Sequence, residues 1–199
     1  MVTEDERYIK RCIDLAQLGL GKVAPNPMVG CVIVKDGSII GEGFHGTYGG
    51  PHAEIEAIKS VANFHDIVGA TVYVSLEPCN HHGKTPPCVD AIIESGIKKV
   101  IYAISDPNPV AAGGSERLRG AGIEVVSGIG AVQTIHENRA WLTKIEKSRP
   151  RITWKIASTM DGKVTAADGS SKWITGELAR ADVAKIRAQA DAIVTSTTT

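Results

Sequence analysis

Asp36-Gly37 stands between two apolar runs, Val29–Val34 and Ser38–Phe44, and this juxtaposition constrains the fold more than any other local feature. Asp-Gly accepts the backbone angles that a tight turn between antiparallel strands demands, so the chain is expected to open its sheet with a hairpin. Beyond residue 50 the pattern changes. Periodic segments alternate as helix over about 52–62, strand 70–75, helix 86–95, strand 98–104, helix 114–121, strand 123–126 and helix 131–146. Strands separated by helices need right-handed crossovers and a mostly parallel continuation of the sheet. A three-layer α/β/α sandwich with a mixed sheet satisfies both halves of the pattern.

Ahead of the hairpin, Tyr8, Ile9, Cys12, Ile13, Ala16 and Leu20 recur near helical spacing and predict an amphipathic helix over 4–20, ending before Gly21. Pro25-Asn26-Pro27 must then be a rigid, non-helical loop. At the other end, Lys147-Ser148-Arg149-Pro150-Arg151 is polar and contains a proline, which suits a linker and makes residues 1–146 one domain. After it, Ile152–Ala157 reads as a strand, Leu178–Ala190 as a helix and Ala192–Thr195 as a strand. This stretch is too short to close a core of its own, so 152–199 is expected to begin a second domain that is cut off.

Lys plus Arg and Asp plus Glu both number 22, so no basic excess draws the chain to nucleic acid or an anionic membrane. A small, free substrate is favoured. The charged start MVTEDERYIKRC has no signal-peptide core, and no run approaches the length of a membrane span, which points to the cytoplasm. In that compartment the four cysteines read as thiols or metal ligands. Cys12 and Cys31 sit in apolar helix and strand patterns and read as small core residues. The oligomeric state is left open, a homo-oligomer included.

Chemistry concentrates elsewhere. Pro51-His52-Ala53-Glu54 sets a histidine and a glutamate two residues apart at a helix start. Leu76-Glu77-Pro78-Cys79 ends a strand, and Cys88, after eight intervening residues, leads into the next helix. Amide N–H groups at such ends favour thiolate. One His and two Cys leave a tetrahedral zinc ion one open position, the pattern of catalytic sites, where bound water loses a proton near neutral pH. Glu54 stands near that metal without having to bind it and is the candidate proton carrier. H-x-E followed by Pro-Cys and a further Cys is the general signature of zinc deaminases, except that here eight residues rather than two lie between the cysteines. A closed zinc knuckle using His81 or His82 as fourth ligand is the bland alternative, and it leaves Glu54 without a task. His65 and His136 read as exposed.

Four segments carry a closer resemblance: Ala24-Pro25-Asn26-Pro27-Met28-Val29-Gly30, Pro51-His52-Ala53-Glu54, the run from Leu76 through Asn80-His81-His82-Gly83-Lys84-Thr85-Pro86-Pro87 to Cys88, and Ser105-Asp106-Pro107-Asn108-Pro109. Together they resemble the bifunctional deaminase/reductase family of riboflavin biosynthesis, with a cytidine-deaminase-like sandwich. The long inter-cysteine loop separates that family from cytidine, guanine and tRNA-adenosine deaminases. The resemblance implies a 2,5-diamino-6-ribosylamino-4(3H)-pyrimidinone 5′-phosphate as substrate, losing its 2-amino group as ammonia. It also implies Lys84 as a phosphate contact, Asn26 as a hydrogen-bond partner beside the ring, and His45, Asp106 and Asn108 as ring or ribose contacts. Turn chemistry alone is the alternative for Asn26, and it would account for Asp106 and Asn108 equally simply.

The second segment resembles the start of the family's dihydrofolate-reductase-like α/β domain, through Ala157-Ser158-Thr159-Met160-Asp161-Gly162-Lys163 and Ser170-Ser171-Lys172-Trp173-Ile174-Thr175-Gly176. By that resemblance Ala157, Trp173 and Thr199 fall at NADPH-contacting positions, and Ser171 and Arg187 at substrate-contacting ones. Core packing of Trp173 and a solvated helix face for Arg187 are the alternatives. On this reading the chain deaminates but does not oxidise NADPH. Two rivals stand beside it: a base deaminase of the same superfamily acting on nucleosides or nucleic acid, disfavoured by the zero net charge, and a zinc-stabilised module without catalysis.

Overall fold

The computed structural model describes residues 2–83, 85–170 and 173–195. It divides into two compact units, Met1–Arg151 and Ile152–Thr199. In the first, strands β1 (Gly30–Lys35) and β2 (Ser38–Phe44) form the hairpin, with Lys35 paired to Ser38 and Asp36-Gly37 at the tip. Both tip residues have positive φ, 49° and 75°, as a two-residue turn of this hand requires.

Three more strands, β3 (Thr71–Leu76), β4 (Lys99–Ile104) and β5 (Glu124–Ser127), complete a five-stranded sheet of order β2-β1-β3-β4-β5. β1 runs antiparallel to both neighbours, whereas β3, β4 and β5 are mutually parallel. The crossover from β2 to β3 therefore steps over β1, and it is carried by α2 (Ala53–Ser60). Helices α3 (Cys88–Glu94) and α4 (Gly114–Gly120) make the two later crossovers.

Alternation along the strands splits the core into two layers. Cys31, Ile33, Val72, Val74, Val100 and Tyr102 face α2, α3 and α4, packing on Ala53, Ala57, Val89, Ile92 and Leu118. On the opposite face Val32, Val34, Tyr73, Ile101 and Ala103 pack against α1 (Glu4–Ala16), through Tyr8, Ile9, Cys12, Ile13 and Leu15. Thr3 and Glu6 close a capping box at the start of α1. The α/β/α sandwich with a mixed sheet is thus the observed architecture, and Cys12 and Cys31 are buried core residues, as their patterns indicate.

The elements are shorter than periodicity suggests, for local reasons. The first helix stops at Ala16 and tightens into a 3₁₀ turn over Gln17–Gly19. The expected helix 131–146 is two helices, α5 (Ala131–Glu137) and α6 (Arg139–Lys147), broken at Asn138. The buried Asn138 side chain accepts from Met28 N–H at 2.9 Å and donates to Met28 C=O at 3.0 Å, so it serves another segment rather than a continuous helix.

In the second unit the expected helix is present as α7 (Glu177–Ala188), but the strands expected at 152–157 and 192–195 are not formed. A strand needs a neighbour for its N–H and C=O groups, and no strand pairing occurs among the described residues of this unit.

One packing contact sets the position of the functional elements. A Cβ placed on Gly43 would lie 2.3 Å from Ala57 N and 2.4 Å from Ala53 O, so α2 rests on β2 where a side chain is missing. Gly43→Ala is expected to destabilise the protein by about 2 kcal/mol, roughly a 5 °C fall in Tm, because backbone must move to admit the methyl group. Gly120→Ala, at the end of α4 with open space around it, is the control and should leave Tm unchanged or slightly higher. Thermal unfolding followed by circular dichroism checks both.

Candidate metal centre and active site

α2 and α3 begin beside each other just past the carboxyl end of β3. His52 is the N-cap residue of α2, Cys88 opens α3, and Cys79 follows β3 by three residues. The Nδ1 atom of His52 lies 3.2 Å from Cys88 Sγ and 3.5 Å from Cys79 Sγ. All three donor atoms fall within 4.8 Å of one another. The second ring nitrogen, Nε2, stands 3.5 Å from Thr85 Oγ1, so Nδ1 is the atom turned toward the thiols. Cys88 N–H donates to Cys79 Sγ at 3.4 Å, a helix-start amide aimed at sulfur.

The electrostatics follow from this crowding. Hydrogen bonding to Cys88 and to His52 holds the Cys79 thiol far below its ordinary range, whereas the same pairing and burial raise Cys88. Hydrogen bonding to Cys79 raises His52 against the opposing cost of burial. Glu54, in the first turn of α2, is buried, and desolvation with the nearby Cys79 charge pushes its carboxyl up to about 7. One imidazole nitrogen and two sulfurs, drawn together beside a cavity that His52 and Cys79 line, suit a zinc ion with a position left for a further ligand.

That cavity, about 330 Å³, is lined by His52, Glu54 and Cys79 and also by Asn26, His45, Asp106 and Asn108. Asn26 Nδ2 and His45 Nε2 are 3.2 Å apart, and His45 Nδ1 is 2.9 Å from Pro51 C=O. A carbonyl only accepts, so Nδ1 carries the ring proton and Nε2 accepts from the Asn26 amide. Burial lowers the pKa of His45, which favours this neutral form. Asp106 accepts from Asn108 N–H at 2.8 Å in a local turn, and burial raises its carboxyl. Lys84 lies outside the described residues.

Several lining groups had no site role in the sequence reading. Glu77 is buried and accepts from Ser115 N–H and Oγ–H and from Asp106 N–H. Its place directly before Pro-Cys at a strand end was the available signal. Trp141, Lys144 and Ile145 come from α6, and nothing local marked them, since they read as an ordinary amphipathic stretch. His81 also lines the cavity, although as a loop residue it had no claim on the metal.

In the second unit Ala157 lies in non-regular chain and is half-buried. Trp173 is exposed, with the Arg180 guanidinium 4.6 Å from its ring centre, and Arg187 is exposed in the last turn of α7. Trp173 is therefore not a core residue among those described. Ser171 and Thr199 lie outside the described residues.

The cytidine and deoxycytidylate deaminase zinc-binding region matches residues 2–104, more than half of the chain. The chain belongs to this zinc-binding deaminase family. The RibD C-terminal domain matches residues 150–199, so the start of a reductase domain follows the deaminase fold. Within the family the likeness runs to the riboflavin-biosynthesis branch. The chain is 51% identical over 191 residues to riboflavin biosynthesis protein RibD of Actinobacillus pleuropneumoniae, covering 96% of this chain and 50% of that one. It is 46% identical to the Escherichia coli K12 protein of the same name, covering 98% and 53%. The crystal structure of a diaminohydroxyphosphoribosylaminopyrimidine deaminase/5-amino-6-(5-phosphoribosylamino)uracil reductase from Thermotoga maritima is 51% identical, with a TM-score of 0.87 over 92% of this chain and 53% of that one. The chain thus spans about half the length of the relatives it matches. No helix among the described residues is long and apolar enough to cross a membrane.

For a member of this family the grouping of His52, Cys79 and Cys88 yields a direct expectation. The purified chain should carry about one zinc per molecule, and Cys79→Ala combined with Cys88→Ala should remove it. Elemental analysis after gel filtration measures this, and full retention by the double variant would refute the ligand set.

Proposed function

We propose that the first unit is a zinc-dependent hydrolytic deaminase of riboflavin biosynthesis, with His52, Cys79 and Cys88 as metal ligands and Glu54 as proton carrier. Its substrate is 2,5-diamino-6-ribosylamino-4(3H)-pyrimidinone 5′-phosphate, a small phosphorylated pyrimidine met in the cytoplasm. The deaminase activity named for the Thermotoga maritima relative and the segments surrounding the site support this substrate. In the same reading residues 152–199 begin the NADPH-dependent reductase, with Ala157, Trp173 and Thr199 toward the cofactor and Ser171 and Arg187 toward the substrate.

The observation that carries the proposal is the buried Glu54 carboxyl, held two residues from His52 in the cavity that His52 and Cys79 line. Zinc, when bound, lowers the pKa of a coordinated water and so supplies the nucleophile at neutral pH. The chain's own groups do the rest. Burial places Glu54 near the pH at which it can both accept and release a proton. It takes one proton from the attacking water and delivers it to the ring nitrogen, then takes a second from the resulting C2 hydroxyl and delivers it to the amino group, so that C2=O forms, the C2–N bond breaks and ammonia leaves. His45, fixed as the neutral tautomer by Pro51, occupies one Asn26 N–H. The Asn26 carbonyl oxygen then serves a ring N–H. Asp106 and Asn108 contact ring or ribose, and Lys84 takes the phosphate.

Glu54→Gln is the decisive variant. The amide is isosteric and can still hydrogen-bond water but cannot carry a proton. Zinc content and Tm should stay at wild-type values while kcat for ammonia release falls by roughly 10²–10⁴-fold. Turnover within a few-fold of wild type would remove Glu54 from the mechanism.

A further inference from the structure

The wall of the cavity beside the metal ligands includes part of α6. Trp141, Lys144 and Ile145 are spaced i, i+3 and i+4, so they share one face of the helix, and all three line the same cavity as Glu54 and Cys79. The placement is built from both ends of the contact. Asn138, just before α6, grips Met28 through both of its backbone groups, and Met28 continues the loop that presents Asn26. Leu142, next to Trp141, is buried and ties the helix to the core. α6 and the Asn26 loop are therefore held as a unit, which sets where Lys144 stands.

Charge then singles out Lys144. Glu54, Glu77 and Asp106 all line this cavity, and a phosphate dianion entering it meets a carboxylate-rich wall. Among the described lining residues Lys144 is the only ammonium or guanidinium side chain. No carboxylate among the described residues forms an ion pair with it, and it is exposed, so that its flexible ammonium can follow a ligand.

We propose that Lys144 is a phosphate-binding, specificity-determining residue of the deaminase site, delivered by α6, so that the site selects a phosphorylated substrate over its nucleoside. The inference rests on the deaminase reading given above and extends it to a helix outside the zinc-binding segments.

The test compares the complete chain with Lys144→Gln and Lys144→Arg on the phosphorylated substrate and on the same compound without its phosphate. For Lys144→Gln, KM for the phosphorylated substrate should rise about tenfold with kcat little changed, and the preference for phosphate in kcat/KM should fall by about the same factor. Lys144→Arg should restore most of that preference. Tm should stay constant, since the side chain is exposed. A preference retained in full by Lys144→Gln, or equal losses on both compounds, would overturn the role of Lys144 while leaving the deaminase reading intact. If the wild-type chain with its zinc deaminates neither compound, the deaminase reading fails, and the Lys144 assignment fails with it.

Discussion

The carboxylate of Glu77, just past the end of β3, accepts hydrogen bonds from Ser115 N–H at 2.9 Å, Ser115 Oγ–H at 2.7 Å and Asp106 N–H at 3.2 Å. A buried carboxylate without such donors would cost several kcal/mol, so the loop after β4 and the start of α4 are bound to this point. The approach is close. A Cβ on Gly114 would lie 1.8 Å from Pro78 O, a distance only glycine tolerates. Cys79 comes two residues after Glu77 and inherits its position from this junction, and so does the turn carrying Asp106 and Asn108.

Onto that fixed point the fold delivers two helix starts. α2 reaches it because the chain steps over β1 and rests on Gly43, and α3 reaches it because the inter-cysteine loop returns Cys88 to Cys79. The charges then order themselves. Cys79 is favoured as thiolate by Cys88 and His52, and burial together with that sulfur's charge pushes the Glu54 carboxyl up to about 7. A structural metal site has no need of a buried acid poised to exchange protons. On the proposed mechanism, Glu54 in this place is what separates catalysis from mere metal binding.

Legibility in the sequence varied with the range of the interaction. The hairpin was readable because Asp36 and Gly37 meet a local backbone demand, and the sheet because apolar strands alternate with amphipathic helices. His52, Glu54, Cys79 and Cys88 were readable as candidates because their spacing and residue types serve one chemistry. The strands expected at 152–157 and 192–195 were misjudged for the opposite reason: apolar composition permits a strand, but pairing creates one. The single helix expected over 131–146 failed at Asn138, whose amide is committed to Met28, 110 residues away.

The sequence by itself determined the layered α/β/α class, the hairpin, the helix starts and the candidate residues for a metal site, since each depends on local backbone preference or on residue chemistry. The tertiary structure decided which nitrogen of His52 turns toward the thiols, that His45 is fixed as one tautomer against Pro51, and that Glu77 serves as a junction. It also brought α6, with Trp141 and Lys144, into the cavity wall. These outcomes depend on distances between segments far apart in the chain, and no local pattern of residues encodes such distances.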